Sequence, residues 1–206
     1  MKIAGIILAA GMGTRMGTKL CPKQLLPLGE RPVLAQVIQN GLAAKLDPLI
    51  LVLGHKARSI MAGVDVSQTL VVVNPRYKTG MASSIGVGLG ALPPDCDGAM
   101  FLLGDQPLVG TAVLLSLIDA FAPDRIVIPT FQGRQGNPVL FGACFFPQLA
   151  QLTGDVGGRV LFDDHPEKII RVPVETHGVC FDLDTPEDYT ILCTGLCDRE
   201  EKQDGT

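Results

Sequence analysis

The chain has 206 residues, 47% of them hydrophobic and 18% charged, with a formal net charge of −4 and a pI of about 5.3. That composition supports a sizeable buried core in one α/β unit and excludes a mainly disordered chain. The acidic balance, with no cluster of Lys or Arg, speaks against a nucleic-acid partner, which calls for a basic face.

An apolar run over residues 3–9 reads as a buried first strand. Residues 1–10 are too short to span a membrane and carry no cleavage pattern. The run stops at Gly11-Met12-Gly13-Thr14-Arg15-Met16-Gly17, and Pro22-Lys23-Gln24-Leu25-Leu26-Pro27-Leu28 follows. A helical pattern opens at Pro32 and runs to about Leu46, with Val33, Leu34, Val37 and Ile38 at helical spacing. Residues 49–53 and 70–73 are continuous apolar runs, as expected of parallel strands covered on both faces. Gly54-His55 ends the first and Asn74-Pro75 the second. Residues 83–92 read as helix, and residues 98–103 as a strand stopped by Gly104-Asp105-Gln106-Pro107. A helix over 111–121 has Thr111 at its N-cap, and a strand follows over 125–128.

Beyond Pro129 the rhythm changes. A turn at 133–137 precedes a short strand at 138–141. Helical patterns cover 145–152 and 156–164, and strand-like runs cover 169–174 and 179–182. Thr185-Pro186-Glu187-Asp188 has the form of a capping box with Pro in the first helical turn. Residues 195–206 read as a polar, flexible tail after a single domain over 1–194. Strands alternating with helices predict a three-layer α/β/α, Rossmann-like architecture with a mainly parallel sheet. Ligands of such sheets bind beyond the C-terminal strand ends, where the polar punctuation falls.

The six cysteines, Cys21, Cys96, Cys144, Cys180, Cys193 and Cys197, form no Cys-x-x-Cys pair. Cys193 and Cys197 have no nearby His to complete a zinc set. Reduced thiols in a cytoplasmic protein are expected.

The glycine-rich segment is neither a dinucleotide fingerprint, having one residue too many before its third glycine, nor a Walker loop, lacking Gly-Lys-Ser/Thr. Small residues let the backbone approach a ligand and offer free N–H groups, while Arg15 and Lys23 supply the charge a polyphosphate needs. Asp105, at a strand end before a Pro, could serve as a turn residue or as a hard oxygen ligand for Mg²⁺. Asp182 and Asp184, two apart on a strand-like run, would share one face, one completing a metal site and the other capping a helix. Ser83 and Ser84 could cap a helix or read a base edge. His55 is expected to be a hydrogen-bonded structural residue, with His165 and His177 at the surface. Asn137 could line an acceptor site or simply make a turn.

The Leu8–Met16 segment together with Pro22–Leu28 resembles the signature of nucleotidyltransferases of the NTP-transferase fold. Gly54-His55, Asn74-Pro75-Arg76-Tyr77, Gly80-Met81-Ala82-Ser83-Ser84, Gly104-Asp105-Gln106-Pro107, Gly136-Asn137-Pro138 and Asp182-Leu183-Asp184-Thr185-Pro186-Glu187-Asp188 narrow the resemblance. They make it similar to the molybdenum cofactor cytidylyltransferase branch of the MobA-like NTP transferase family. The resemblance implies transfer of CMP from CTP to the terminal phosphate of molybdopterin or molybdenum cofactor, with pyrophosphate released. It implies Arg15, Lys23 and Asp105 as catalytic residues and Mg²⁺ on Asp105 and Asp184. It implies nucleotide contact by Leu8, Ala9, Ala10, Gly11, Gly13, Gly54, Gly80, Ser83 and Ser84. Ala9-Ala10 is the form of cytidine-using relatives, and a methyl at Ala10 would narrow the base pocket. A molybdoenzyme or its maturation chaperone would be the protein partner. Two alternatives stay open: a sister enzyme using another NTP or small phosphorylated acceptor, and a non-catalytic accessory protein that binds the cofactor.

Overall fold

A computed structural model describes residues 1–16 and 21–200. Gly17, read above as the end of the glycine-rich segment, lies outside the described residues, as do residues 201–206 of the tail.

The apolar runs line up in one sheet. Its strands are β1 (Ile3–Ala9), β4 (Leu49–Leu53), β5 (Leu70–Val73), β6 (Gly98–Leu103), β7 (Ile126–Phe131), β8 (Arg134–Gln135), β9 (Val139–Gly142) and β10 (Ile169–Pro173). The order is β10-β7-β9-β6-β1-β4-β5, with β8 on β7. A separate hairpin pairs β2 (Pro27–Leu28) with β3 (Arg31–Pro32). β1 runs parallel to β4 and β6, and β10 parallel to β7, whereas β9 is antiparallel to both its neighbours. The helices are α1 (Val33–Ala43), α2 (Ala57–Gly63), α3 (Met81–Leu89), α4 (Thr111–Asp119), α5 (Phe146–Ala150) and α6 (Pro186–Glu200).

Alternation along β1 sends Ile6 and Ile7 to opposite faces, and both are fully buried. Ile7 joins Leu51, Leu53, Leu114 and Leu117 in the layer under α1 and α4. Ile6 joins Ile50, Val52, Ile85 and Phe141 in the layer under α3 and α5. Helices thus cover both faces of a mostly parallel sheet, the expected three-layer nucleotidyltransferase fold.

Several local expectations change. β5 is an edge strand, with Leu70 48% and Val73 51% exposed, so its apolar run does not mean cover on both faces. α4 is capped by the Gly110 backbone, and Thr111 is its first helical residue. Pro32 stands at the N-cap of α1. α3 starts at Met81, where Gly80 with φ 107° breaks from the preceding turn. α2 carries no sequence stripe to betray it, because Ile60 is its one buried side chain. Residues 158–162 form a 3₁₀ segment, and residues 177–180 form another where a strand was expected. The helix that opens at Pro186 continues through Gly195 to Glu200, inside the region read as tail. Its capping box forms: Asp188 N donates to Thr185 Oγ1 at 3.2 Å, and Thr185 N donates to Asp188 Oδ2 at 2.7 Å.

The antiparallel insertion of β9 depends on one close approach. A Cβ on Gly142 would stand 2.0 Å from the Pro123 carbonyl oxygen. Gly142→Ala is expected to destabilise the fold by about 2–3 kcal/mol, because backbone must shift to admit the methyl. Urea denaturation measures this, and an unchanged midpoint would refute the packing account.

Candidate active site

β1 and β6 end side by side, and Gly104 N donates to Leu8 O at 3.0 Å just beyond them. The glycine-rich segment leaves the end of β1, and Asp105 leaves the end of β6. Gly13 turns with φ 59°, a left-handed conformation that costs a residue with a Cβ more than glycine. A 3₁₀ turn over Thr14–Met16 follows. A second, over Lys23–Leu25, brings Lys23 back beneath the loop, its stem beside Gly13. The result is an open cleft of about 550 Å³, walled by residues 8–13 and 77–81, with Arg15, Lys23, Ser84, Asp105, Asp155, Asp182 and Asp184 along it.

Lys23 organises the charges. Its side chain is only 9% exposed, and Nζ pairs with Asp105 Oδ2 and, at 2.9 Å, with Asp184 Oδ1. Arg15 Nη1, on an exposed side chain, reaches Asp184 Oδ2 at 2.6 Å. Burial alone would depress the Lys23 ammonium, but the Asp105 charge and the hydrogen bonds to Asp105 and Asp184 outweigh it and hold it above the usual lysine range. Asp184 is fixed from behind, because its own N donates to Asp188 Oδ2 at 3.1 Å. The capping box of α6 therefore also sets this carboxylate.

Asp182 belongs to the same wall and accepts a hydrogen bond from Gln106 Nε2 at 2.7 Å. It lies on an irregular segment, so the shared strand face expected for Asp182 and Asp184 is not what aligns them. Loop geometry does so, anchored by fully buried Leu183, whose N donates to Asp105 O. Desolvation first, and then the nearby Asp105 charge, push the Asp182 carboxyl above the usual aspartate range.

Of the residues expected at the nucleotide, Leu8, Ala9, Ala10, Gly11, Gly13, Gly80 and Ser84 line the cleft. Gly54 and Ser83 do not line it; they support it. A Cβ on Gly54 would meet Tyr77 Cβ at 2.6 Å and the Ala10 methyl at 2.9 Å. Ser83 Oγ donates to Arg76 O and Gly80 O and accepts from Asn74 Nδ2, which spends it on the loop. Fully buried Asn74 also donates to Ser84 Oγ. His55 N donates to Ala10 O, and its ring lies against Tyr77, a structural role. His165 contacts Gln148, and His177 lies against Phe181. Tyr77, Lys78 and Met81, from the loop expected near the base, also face the cleft, and so does Asp155, which the sequence did not single out. The dense Gly154-Asp155-Val156-Gly157-Gly158-Arg159 string was the available signal for Asp155, whose Oδ1 accepts from Met81 N at 3.2 Å.

Hard carboxylate oxygens beside a cationic, glycine-lined trough suit a divalent cation shared with phosphate oxygens. Among the described residues no three His, Cys, Asp or Glu side chains are gathered as a ready-made metal cage. No helix among the described residues is long and apolar enough to cross a membrane.

A cleft at the strand ends of a doubly covered sheet is where such a fold presents its ligand site. The chain belongs to the family described as the MobA-like NTP transferase domain, whose model matches residues 5–169. It is similar to nicotine blue oxidoreductase of Paenarthrobacter nicotinovorans, 28% identical over 199 residues that cover 92% of this chain and 96% of the relative. It is similar to purine catabolism protein PucB of Bacillus subtilis strain 168, 27% identical over 200 residues that cover 92% and 95%. The crystal structure of Rv0371c from Mycobacterium tuberculosis H37Rv superposes with a TM-score of 0.86 at 34% identity, covering 94% of this chain and 98% of that one. A manganese complex of the same protein superposes with a TM-score of 0.82, so a divalent metal binds a homologue. The named relatives differ in what their names describe, so membership places the chain in the MobA-like NTP transferase family without selecting the cytidylyltransferase branch.

The three carboxylates repel one another when no metal is present. Asp182→Asn keeps an oxygen for Gln106 and removes one charge, so it should raise the metal-free melting temperature slightly at pH 7, by about 1–2 °C after allowance for solvent screening. Because the folded-state pKa of Asp182 is raised, the wild-type group protonates on acidification and the difference should vanish below about pH 4. Thermal scans at the two pH values measure this; a difference that persists or grows in acid contradicts it.

Proposed function

We propose that this protein transfers CMP from CTP to the terminal phosphate of molybdopterin or molybdenum cofactor. The observation that carries the reading is the Lys23 ammonium, buried between Asp105 and Asp184 and facing the glycine-lined loop. A cation so placed meets the charge that builds as a phosphate chain is cleaved. The sequence resemblance supports the cytidine donor, through Ala9-Ala10, and the molybdopterin acceptor. Ala10 is 4% exposed and its methyl lies beside Gly54, so it bears on the base mainly through the shape of the cleft wall it forms with Tyr77.

A phosphate oxygen of the acceptor attacks the α-phosphorus of CTP in line. The new P–O bond forms as the bond from the α-phosphorus to the oxygen bridging to the β-phosphate breaks, and pyrophosphate leaves. The attacking phosphate is already anionic near neutrality, so alignment and charge neutralisation matter more than a strong base. Amides of Gly11 and Gly13 cradle the triphosphate, and Arg15 and Lys23 turn from their aspartates toward phosphate oxygens. Asp105 and Asp184 would hold Mg²⁺, which would supply charge neutralisation to the phosphates. No side chain need form a covalent intermediate, because the acceptor brings its own nucleophile.

Pyrophosphate release, followed across the four NTPs with molybdopterin and Mg²⁺, tests the reading; CTP should be the preferred donor. Release with GTP in preference to CTP, or none with any NTP, overturns it. Asp105→Asn and Lys23→Met should each lower kcat by about 10²–10³, the usual effect of losing one preorganised charge. Near-normal turnover in either variant would remove that residue from its assigned role.

A further inference from the structure

Helix α3 begins at the cleft, and its first turn is held from far along the chain. Gly80, at the N-cap, has no side chain to offer the free amides. The loop after α5 meets them instead. Met81 N donates to Asp155 Oδ1 at 3.2 Å, and Ala82 N donates to Gly154 O at 3.3 Å. The two backbones lie in contact: a Cβ on Gly80 would stand 2.3 Å from Gly154 O and 2.5 Å from Asp155 N. Gly80 and Gly154 both turn with positive φ, 107° and 77°, which glycine adopts at little cost. From its other side the segment is held by fully buried Asn74, whose Nδ2 donates to Ser83 Oγ at 2.8 Å and to Ser84 Oγ at 3.0 Å. Residues 80–84 are thus fixed between Asn74 and the 154–155 loop.

This clamp has a chemical consequence inside the cleft, which Asp155 itself lines. The open N-terminus of a helix attracts phosphate through its free amides and its dipole. Here a carboxylate already occupies that position and brings a negative charge of its own. Phosphate is left to the glycine loop, Arg15 and Lys23, and the α3 end is left to an uncharged part of the ligand. Ser84 lines the cleft there at 5% exposure. Its Oγ accepts from Asn74, and its hydroxyl donates to no described residue, so its hydrogen is available to a ligand acceptor such as a base carbonyl.

We propose that Asp155 is a positioning residue for the nucleotide. Acting through the Met81 amide, it fixes the Gly80–Ser84 segment against the base and closes the α3 end to phosphate, so the nucleotide lies in one direction only. The inference rests on the nucleotidyl-transfer reading given above. Asp155 takes no part in the chemistry at the α-phosphorus.

The test is calorimetry in Mg²⁺ with CTP, GTP, ATP and UTP against inorganic tripolyphosphate, which carries the phosphates and no base. The wild type should bind its best NTP at least about tenfold more tightly than tripolyphosphate. Asp155→Ala should cut that ratio about tenfold, weakening the NTP while tripolyphosphate binds as well as before or better, since the α3 amides are now open to it. Asp155→Asn keeps an oxygen for Met81 N and should stay within about threefold of the wild-type ratio. Both variants should keep wild-type circular dichroism. A merely structural role would weaken NTP and tripolyphosphate together and leave the ratio where it was. A ratio unchanged by Asp155→Ala, an equal loss for both ligands, no rescue by Asp155→Asn, or a wild type that does not prefer an NTP to tripolyphosphate overturns the inference. Pyrophosphate release with molybdopterin is scored separately. Release from CTP with an unmoved ratio keeps the transfer reading and removes this one. A ratio that moves as described, with GTP preferred or no release at all, keeps the positioning role and removes the transfer reading.

Discussion

The buried ammonium of Lys23 is the constraint on which the site turns. A lysine at 9% exposure is tolerable only if its charge is met, and here two carboxylates meet it. Those carboxylates come from far along the chain: Asp105 follows β6, and Asp184 precedes α6. The ion pairs therefore tie the N-terminal loop, the middle of the sheet and the C-terminal helix to one point. The same charges that stabilise one another in the ligand-free protein are the ones a triphosphate and a divalent cation would redistribute. Opposed charges are held together in this cleft, with Lys23 shifted up by its partners and Asp182 shifted up by burial and its neighbours, which makes it the candidate site of the chain.

Around this point the fold separates two tasks. The parallel half, β1, β4, β5 and β6, delivers the glycine loop and Asp105 at its C-terminal edge, where strand ends leave free backbone groups. The antiparallel strand β9, wedged between β6 and β7, carries Val139 and Phe141 into an apolar compartment beside the cleft. One edge of the sheet thus presents charge and the adjoining surface presents rings.

Much of this was legible in the amino-acid order. Strands β1, β4 and β6 announce themselves as unbroken apolar runs because they are buried on both faces. The capping box at Thr185–Asp188 is local chemistry and forms as its spacing requires. The glycine-rich loop is readable as a candidate site because glycine spacing, Arg15 and Lys23 sit within one short stretch. Where the reading failed, the cause was long-range. β5 has the same apolar look as β4 yet lies at the sheet edge, a fact of strand order that no local pattern carries. The run through residues 179–182 looks like a strand but has no neighbour to pair with, since Asn137 N takes the Val179 carbonyl and no ladder forms.

The sequence by itself determined the class of fold, the glycine-rich loop after the first strand and the identity of the charged residues, because these depend on contiguous composition and spacing. Tertiary structure decided how those charges pair. It set Lys23 between Asp105 and Asp184, brought Asp182 to the same wall, and turned Gly54 and Ser83 into supports beside the cleft. It also built the apolar compartment from residues scattered between Leu8 and Val160. Such a surface exists only once a parallel sheet, an antiparallel insertion and a glycine-thinned loop have closed on one another, and no stretch of chain contains it.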